Sequence, residues 1–424
     1  MSALRTRVAI SAGRTVGGLS RLAGRGQGAT ISGRVMNAIA PNLLRDLAKN
    51  QRVVVVSATN GKTTTTRLIT NALADLDQPV ATNSTGANLT SGITPVLAAT
   101  TKPGIAVLEV DERVVAKIVE PLQPELLILG NLSRDQLDRY GEVHAVSNGW
   151  RQIFLDNPNL AVIANASDPN VVWAAAPGTV TWVALGRSWR DDANTCPACG
   201  RLLAWDNNSF DCPTSAGGCG FTQPPTDVYL EITETEAKTS SVATLRIDET
   251  PVEIRLALPG RWNLANAALA VIAARHFGVA PQRASELMTT VTTVAGRNME
   301  LPLGDGRKAR VLLAKNPAGW TEVLQHLASR PTAVVIAVNA RVADGKDPSW
   351  LYDVPYELLI KHEVAAAGER GTDVAVRLSY GGFTPIVTAD PIAAARKLTG
   401  DDITIVASYT QFSALYNRYR KLPA

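Results

Sequence analysis

The chain has 424 residues, 46% of them hydrophobic and 19% charged, with a formal net charge of +4. This balance excludes a disordered or fibrous chain and predicts two or three globular domains with ample core. No run of about 18 apolar residues occurs, so no transmembrane helix is expected. The charge is unevenly placed. Residues 1–52 hold nine Arg or Lys (Arg5, Arg7, Arg14, Arg21, Arg25, Arg34, Arg45, Lys49 and Arg52) against one acid, Asp46, a local +8 that leaves −4 for the rest. Arginines recur too often in this leader for the apolar core of a signal peptide. It reads as a helical region whose basic face is solvated or meets anionic lipid or an acidic partner. A cytoplasmic location follows as the expectation.

Next comes Val53–Val56, a short apolar strand, then Ser57-Ala58-Thr59-Asn60-Gly61-Lys62-Thr63-Thr64 and a helical stretch from Arg67. Strand, glycine turn, Lys-Thr and helix form a phosphate-binding loop. In such a loop backbone N–H groups and the helix N-terminus receive phosphates, the lysine reaches the outer ones and a threonine hydroxyl holds Mg²⁺. The strict pattern wants glycine where Val56 stands, and shorter variants keep one where Ala58 stands. Apolar runs at Ile105–Val110, Leu126–Leu129 and Leu160–Ile163 alternate with helix-length segments, predicting a parallel sheet covered by helices. Glu109, Asp111 and Glu112 end one of these strands, where a nucleotide's Mg²⁺ needs an oxygen ligand. Asn131 to Gly141, polar and rich in charge, follows another strand.

The four cysteines fall at Cys196-x2-Cys199-x12-Cys212-x6-Cys219, with Pro197 and Gly200 beside the first pair. Paired thiolates bridged by a short loop suit structural, tetrahedral Zn²⁺ in a zinc ribbon, with a redox pair or free thiols as the alternative. Arg201 is the one basic residue from Cys196 to Cys219, so a nucleic-acid-binding ribbon is not expected. Residues 228–258 alternate as antiparallel strands. Pro259-Gly260 then opens an Ala-rich helix from Asn263 to Phe277. A last αβ region is predicted with strands at Ala309–Ala314, Thr332–Val338, Asp373–Leu378 and Ile403–Ala407. His144, His276, His326 and His362 stand in no metal or triad spacing.

Taken together, these motifs resemble the Mur ligase family. Ala58-Thr59-Asn60-Gly61-Lys62-Thr63-Thr64 is similar to its ATP loop, Glu109 to its Mg²⁺-binding glutamate, and Asn131-Leu132-Ser133-Arg134-Asp135-Gln136-Leu137-Asp138 to a family segment with histidine in place of Gln136. Pro259-Gly260-Arg261-Trp262-Asn263-Leu264-Ala265-Asn266-Ala267 resembles the adenine-proximal motif, and Gly296-Arg297 and Asn316-Pro317 match later landmarks. The resemblance spans roughly residues 50–420. It implies an α/β fold: a basic leader (1–50), a central P-loop domain with a parallel sheet (51–300) carrying an inserted four-cysteine zinc ribbon (194–222), and a smaller C-terminal αβ domain (301–424).

Three departures narrow the resemblance. Gln136 replaces a metal-site histidine, no lysine stands near Trp150-Arg151 where peptide-adding members carry a carbamylated one, and only about 50 residues precede the loop where a UDP-binding domain is usual. With the cysteine module, Lys315-Asn316-Pro317-Ala318-Gly319 and Asp344-Gly345-Lys346-Asp347-Pro348-Ser349-Trp350, the chain is similar to the family's amidating branch. That implies ATP-dependent amidation of the D-glutamate α-carboxyl in a lipid-linked peptidoglycan precursor, with ammonia from a GatD-type glutaminase subunit. In this reading Lys62, Mg²⁺ on Thr63 and Glu109, and the Asn60–Thr64 loop serve the phosphates. Asn263 and Asn266 face adenine, and Arg297 the phosphates. Asp347, with Asp344 and Asp353 as rivals, completes the partner's Cys–His pair. A lipid-linked substrate would bring the basic leader into peripheral contact with the inner face of the membrane. The alternatives are a stand-alone Mur-like amino-acid ligase and a P-loop or zinc-ribbon binding protein that ligates nothing.

Overall fold

The computed structural model describes residues 3–22, 28–83, 87–135, 142–186, 189–226, 228–232, 240–294, 299–330 and 332–420. They fall into two compact units, one of Met1–Leu132, Val143–Arg187 and Asp191–Thr292, the other of Ser133–Glu142, Ser188–Arg190 and Thr293–Ala424.

The first unit opens with helices α1 (Ala3–Leu22), α2 (Ala29–Ile39) and α3 (Leu43–Ala48). Small residues let α1 and α2 approach closely: a Cβ on Gly13 would fall 2.4 Å from Met36 Cγ, and one on Gly17 would fall 3.1 Å from Ser32 Cβ. The alternating part follows as β1 (Gln51–Ser57), α4 (Lys62–Ala72), β2 (Val80–Thr82), α5 (Thr90–Ala99), β3 (Gly104–Glu109), α6 (Val115–Leu122), β4 (Leu126–Leu129), α7 (Glu142–Asp156), β5 (Ala161–Asn165), α8 (Pro169–Ala175) and β6 (Thr179–Val183). Helices α2 and α5 also meet closely, since a Cβ on Gly33 would sit 1.8 Å from the Ser91 carbonyl oxygen.

The six strands form one parallel sheet, ordered β2-β3-β1-β4-β5-β6. Strand β1 is its hinge of topology. The chain runs from β1 to the edge strand β2, returns to β3 and then crosses β1 to β4, a reversal of strand order that puts the usual ligand position of such sheets at the carboxyl end of β1. Val53–Val56 are fully buried, as a strand covered by helices on both faces requires. The cysteine segment holds a short hairpin, β7 (Ala204–Asp206) and β8 (Ser209–Asp211). A three-stranded antiparallel sheet, β9 (Val228–Glu231), β10 (Ser241–Ile247) and β11 (Thr250–Leu256), leads to α9 (Arg261–His276) and α10 (Pro281–Met288).

The second unit contains β12 (Met299–Pro302), β13 (Lys308–Leu313), α11 (Pro317–Ala328), β14 (Ala333–Ala337), β15 (Val364–Ala367), α12 (Gly371–Tyr380), β16 (Ile386–Thr388), α13 (Pro391–Lys397), β17 (Ile403–Ala407) and α14 (Tyr409–Tyr419). Its sheet runs β12-β13-β17-β14-β15-β16, parallel except for β12. One expectation fails here. The strand predicted at Asp373–Leu378 is the body of α12, and Val364–Ala367 is the strand instead. Val374, Arg377 and Leu378 are buried at helical spacing, so the apparent alternation was one side of a helix.

Candidate functional site

The loop after β1 is held from three directions. Gly61, at φ +91°, takes the left-handed conformation that starts α4, and a Cβ there would lie 2.4 Å from Asn266 Oδ1. Asn131, just past β4, braces the loop with both ends of its amide: Asn60 N–H donates to Asn131 Oδ1 at 3.0 Å, and Asn131 Nδ2 donates to the Asn60 carbonyl at 2.9 Å. Thr59 N–H adds a bond to the Asn131 carbonyl at 2.8 Å. The backbone of Asn60 is therefore engaged within the protein. Anion-binding capacity rests on the first turn of α4, whose N–H groups have no intrahelical acceptor and receive no N-cap side chain. Thr63 is half-buried and Thr64 buried in that turn.

Lys62 folds back over the loop. Its ammonium donates to the Ala58 carbonyl, to Glu112 Oε2 at 2.8 Å and to the Thr59 carbonyl at 3.3 Å. Both members of the Lys62–Glu112 pair are about nine-tenths buried, with side-chain exposures of 11% and 8%. Trp150, buried on α7, donates its indole N–H to the Glu112 carbonyl at 2.8 Å and so fixes the acid's backbone. This carboxylate was legible only as part of an acidic cluster. Nothing in its spacing revealed that the turn after β3 would swing it onto the loop lysine.

Glu109 behaves differently. It ends β3 in register with Val56, and Asn83 clamps its backbone, accepting from Glu109 N–H at 2.8 Å and donating to its carbonyl at 2.7 Å. The residue is buried, yet no cation among the described residues pairs with its carboxylate. A buried, uncompensated carboxylate beside a phosphate loop has the chemistry of a divalent-cation ligand. Asp168, also missed, caps α8 through Asn170 N–H at 3.0 Å and accepts from Leu132 N–H at 2.9 Å, fixing the segment that follows Asn131.

Asn263 and Asn266 lie in the first turns of α9, both buried. Asn263 Nδ2 donates to the Pro259 carbonyl at 2.6 Å, which locks the turn into the helix. Asn266 Nδ2 is buried without a hydrogen-bond partner among the described residues, an orphaned donor against Gly61. Such a group wants a ligand acceptor. Trp150 is sunk beneath Glu112, and Arg151 stacks 3.7 Å over the Trp173 ring, its guanidinium pKa lowered by burial, so neither occupies the role of a metal-bridging lysine. Arg297 and Gln136–Gly141 lie outside the described residues.

The four cysteine Sγ atoms lie within 4.8 Å of one another, with Cys196–Cys219 and Cys199–Cys212 each at 3.6 Å. Ligands about 2.3 Å from a tetrahedral zinc stand roughly 3.8 Å apart, so the set fits that ion. Two glycine knuckles shape it, Gly200 N–H bonding to the Cys196 carbonyl at 2.8 Å and Gly220 N–H to the Cys212 carbonyl at 2.9 Å, both glycines left-handed. The Arg201 backbone N–H lowers the Cys199 thiol to about 7, whereas burial pushes Cys196 up to about 12. Phe210, Phe221 and Trp205 seat the module against Val172 of α8, the sign of a structural insert.

In the second unit the segment after β14 carries the three aspartates of interest. Asp344 is buried and saturated: Oδ1 accepts from Thr410 N–H at 2.8 Å, and Oδ2 from Arg341 N–H at 3.2 Å and from the Thr410 hydroxyl. Asp353 pairs with Arg134 at 3.4 Å. Asp347 is exposed, and Ser349 holds its carboxyl below the usual range, through its hydroxyl first and then its backbone N–H, which donates to Asp347 Oδ1 at 2.9 Å.

The sheet order, the loop after β1 and the buried carboxylates are those of a ligase of the Mur type, a fold that implies ATP and Mg²⁺. Residues 56–193 match the model of the Mur ligase middle domain, and residues 313–412 that of the MurT ligase C-terminal domain. The fold is similar to a pseudomurein peptide ligase type C from Methanothermus fervidus, with TM-score 0.65 and 18% identity over 88% of this chain and 79% of that one. The "Lipid II isoglutaminyl synthase (glutamine-hydrolyzing) subunit MurT" of Streptococcus pneumoniae is 32% identical, the match covering 90% of this chain and 88% of the relative. The Staphylococcus aureus (strain COL) protein of the same description is 28% identical over 95% of each. The chain belongs to this MurT family of Mur ligase-like synthetase subunits.

Proposed function

We propose that the chain amidates the D-glutamate α-carboxyl of the lipid II stem peptide, taking ammonia from a GatD-type glutaminase subunit. The reaction would run at the inner face of the membrane, where a lipid-linked precursor is accessible. The relatives' shared description supports the substrate and the glutamine requirement. The observation that carries the chemistry is the buried Glu109 carboxylate, without a protein cation among the described residues, in register with Val56 at the foot of the Lys62 loop.

A carboxylate is a poor acyl donor because its leaving group would be oxide. Its oxygen instead attacks the γ-phosphorus of ATP, the bond to the β-phosphate oxygen breaks, and ADP leaves an acyl phosphate behind. Ammonia's lone pair then attacks the acyl carbon, the carbon–oxygen bond breaks, inorganic phosphate departs and a proton is lost from nitrogen. The protein's task is positioning and charge neutralisation. Lys62 moves from Glu112 to the phosphates, with the N–H groups of Gly61 to Thr64 beside it. Glu109 and the Thr63 hydroxyl would hold Mg²⁺, which offsets charge on the transferring phosphoryl group. Asn266 donates its orphaned amide to adenine, Asn263 orders the turn beside it, and Arg297 meets the phosphates. Glu112 is a positioning residue: it stores the lysine's charge until phosphate arrives.

Asp347 is the carboxylate offered to the partner's Cys–His pair, where it would orient the imidazole and stabilise its cation. Asp344 and Asp353 are already committed within the unit, which supports the choice. Cys196, Cys199, Cys212 and Cys219 would hold structural Zn²⁺. The test is reconstitution with the glutaminase subunit, ATP, glutamine and lipid II, with mass spectrometry reading the exchange of hydroxyl for amine. Amide formation only in the complete mixture supports the proposal. Ligation of an amino acid by the isolated chain contradicts it.

A further inference from the structure

Helix α1 has two unlike sides. Ala9, Gly13 and Gly17, four residues apart, are buried toward α2, where the absence of side chains fixes the rotation of the helix. The opposite side carries four exposed apolar residues, Leu4 at 71%, Val8 at 50%, Leu19 at 60% and Leu22 at 87% accessibility, one pair toward each end of the helix with exposed Ser11 and Thr15 between them. Leu4 and Leu22 are eighteen residues apart, five full turns, and so share one line, with Val8 and Leu19 on the adjoining arc. Arg7, Arg14 and Arg21, all exposed, repeat every seven residues and form a second line along one flank of that arc, while Arg5 stands on the other. Arg5 and Arg14 also bond to the Ile39 and Ala98 carbonyls, tying the hairpin to its unit. No helix among the described residues is long and apolar enough to cross a membrane.

An exposed leucine arc edged by arginines, on a helix pinned along its other side, complements one kind of surface: a bilayer with anionic headgroups, leucines entering the acyl boundary and guanidinium groups meeting phosphate. We infer that α1 lies flat on the anionic membrane surface and docks the protein there through Leu4, Val8, Leu19 and Leu22 with Arg7 and Arg21. The purpose of this docking rests on the reading that the substrate is lipid-linked; the docking itself rests on the helix. Helix α1 holds four arginines and no acid, a charge that draws it toward an anionic surface.

The experiment is sedimentation of the full chain, in complex with its glutaminase subunit, with vesicles of phosphatidylcholine alone or mixed with phosphatidylglycerol, at low and high salt. Binding is expected only to the mixed vesicles and to weaken with salt. Arg7→Gln with Arg21→Gln should lower partitioning about fivefold per arginine. Leu19→Ser with Leu22→Ser should lower it at least about tenfold. All four positions are exposed, so circular dichroism and amidation of a water-soluble precursor should be unchanged. Sedimentation equal for wild type and both double variants overturns the inference, as does equal binding to neutral vesicles. A change in the complex's solution mass, with vesicle binding intact, also overturns it by assigning the arc to a protein. Failure of docking with amidation intact leaves the catalytic reading standing, whereas loss of amidation on soluble and lipid-linked substrates alike counts against that reading alone.

Discussion

Two six-stranded sheets, each largely parallel, place an irregular segment after a central strand, and the two segments are built in opposite ways. After β1, the short Ala58–Gly61 turn is knitted into its unit by Asn131, Asn266 and the Lys62–Glu112 pair. After β14, Asn339 and Asp344 anchor the loop to Ser408 and Thr410, and beyond that anchor Asp347 is left exposed. On the proposed function, the first loop would need its charges preset and shielded from water for chemistry within its own unit. The second would need rigid ends and an open middle to lend a carboxylate to another protein. The shared architecture decides neither, and the difference lies in which polar side chains return to the loop.

The comparison breaks most plainly at Lys62. Lys62→Ala should lower the amidation kcat about 10²–10³-fold, the scale of removing one preorganised charge stabiliser, while glutamine hydrolysis by the complex persists. Steady-state assays of ammonia and amide would show the split. Asp347→Asn should do the reverse, abolishing glutaminase activity with ATP affinity unchanged by calorimetry. Undiminished glutaminase activity would discard Asp347 as the lent carboxylate. The control is Asp344→Asn, which weakens a buried acceptor and should lower stability by about 1–3 kcal/mol in denaturant melts.

Glu112→Gln sharpens the preset side. It retains a hydrogen bond to Lys62 but removes the charge that competes with phosphate. ATP should then bind roughly fivefold tighter, a coupling of ~1 kcal/mol, as measured by calorimetry. A weaker affinity would mean that Glu112 aligns the lysine without restraining it. The smallest effect concerns acid stability. The Arg377 guanidinium bonds to Glu357 at 2.7 Å and lowers its pKa from the ordinary 4.5. A lowered folded value stabilises above the unfolded pKa and is lost as pH falls through the folded one. Thermal melts below about pH 4.5 should therefore fall less steeply for Glu357→Gln, with the effect blunted by the acid's solvent exposure.

Much of the architecture was legible as apolar runs. Val53–Val56, Ile105–Leu108, Leu126–Leu129 and Ile403–Ala407 are buried on both faces and announce themselves without alternation. Val364–Ala367 escaped because three alanines carry little strand preference, and α12 was misread because six residues cannot separate its period from a strand's. In the site, Lys62 and Glu109 stood in a recognisable order along the chain. Asn83, Glu112 and Asp168 did not, since their work is to bond backbone or charge brought near by the fold. Sequence spacing holds no trace of that. The same applies to Asp347: the motif offered three aspartates, and only the fold shows that Asp344 is buried and saturated, that the exposed Asp353 pairs with Arg134, and that Asp347 is exposed without an ion pair among the described residues.

The central claim is that the Lys62 loop activates a carboxylate as an acyl phosphate for ammonia to displace. Oxygen-18 in the stem peptide's D-glutamate α-carboxyl tests it directly, with the inorganic phosphate analysed after one round of amidation by the reconstituted complex. The account predicts one labelled oxygen in each phosphate released, matched to each amide formed. Phosphate free of label, or ATP hydrolysis that proceeds at the same rate without the stem peptide, would contradict it.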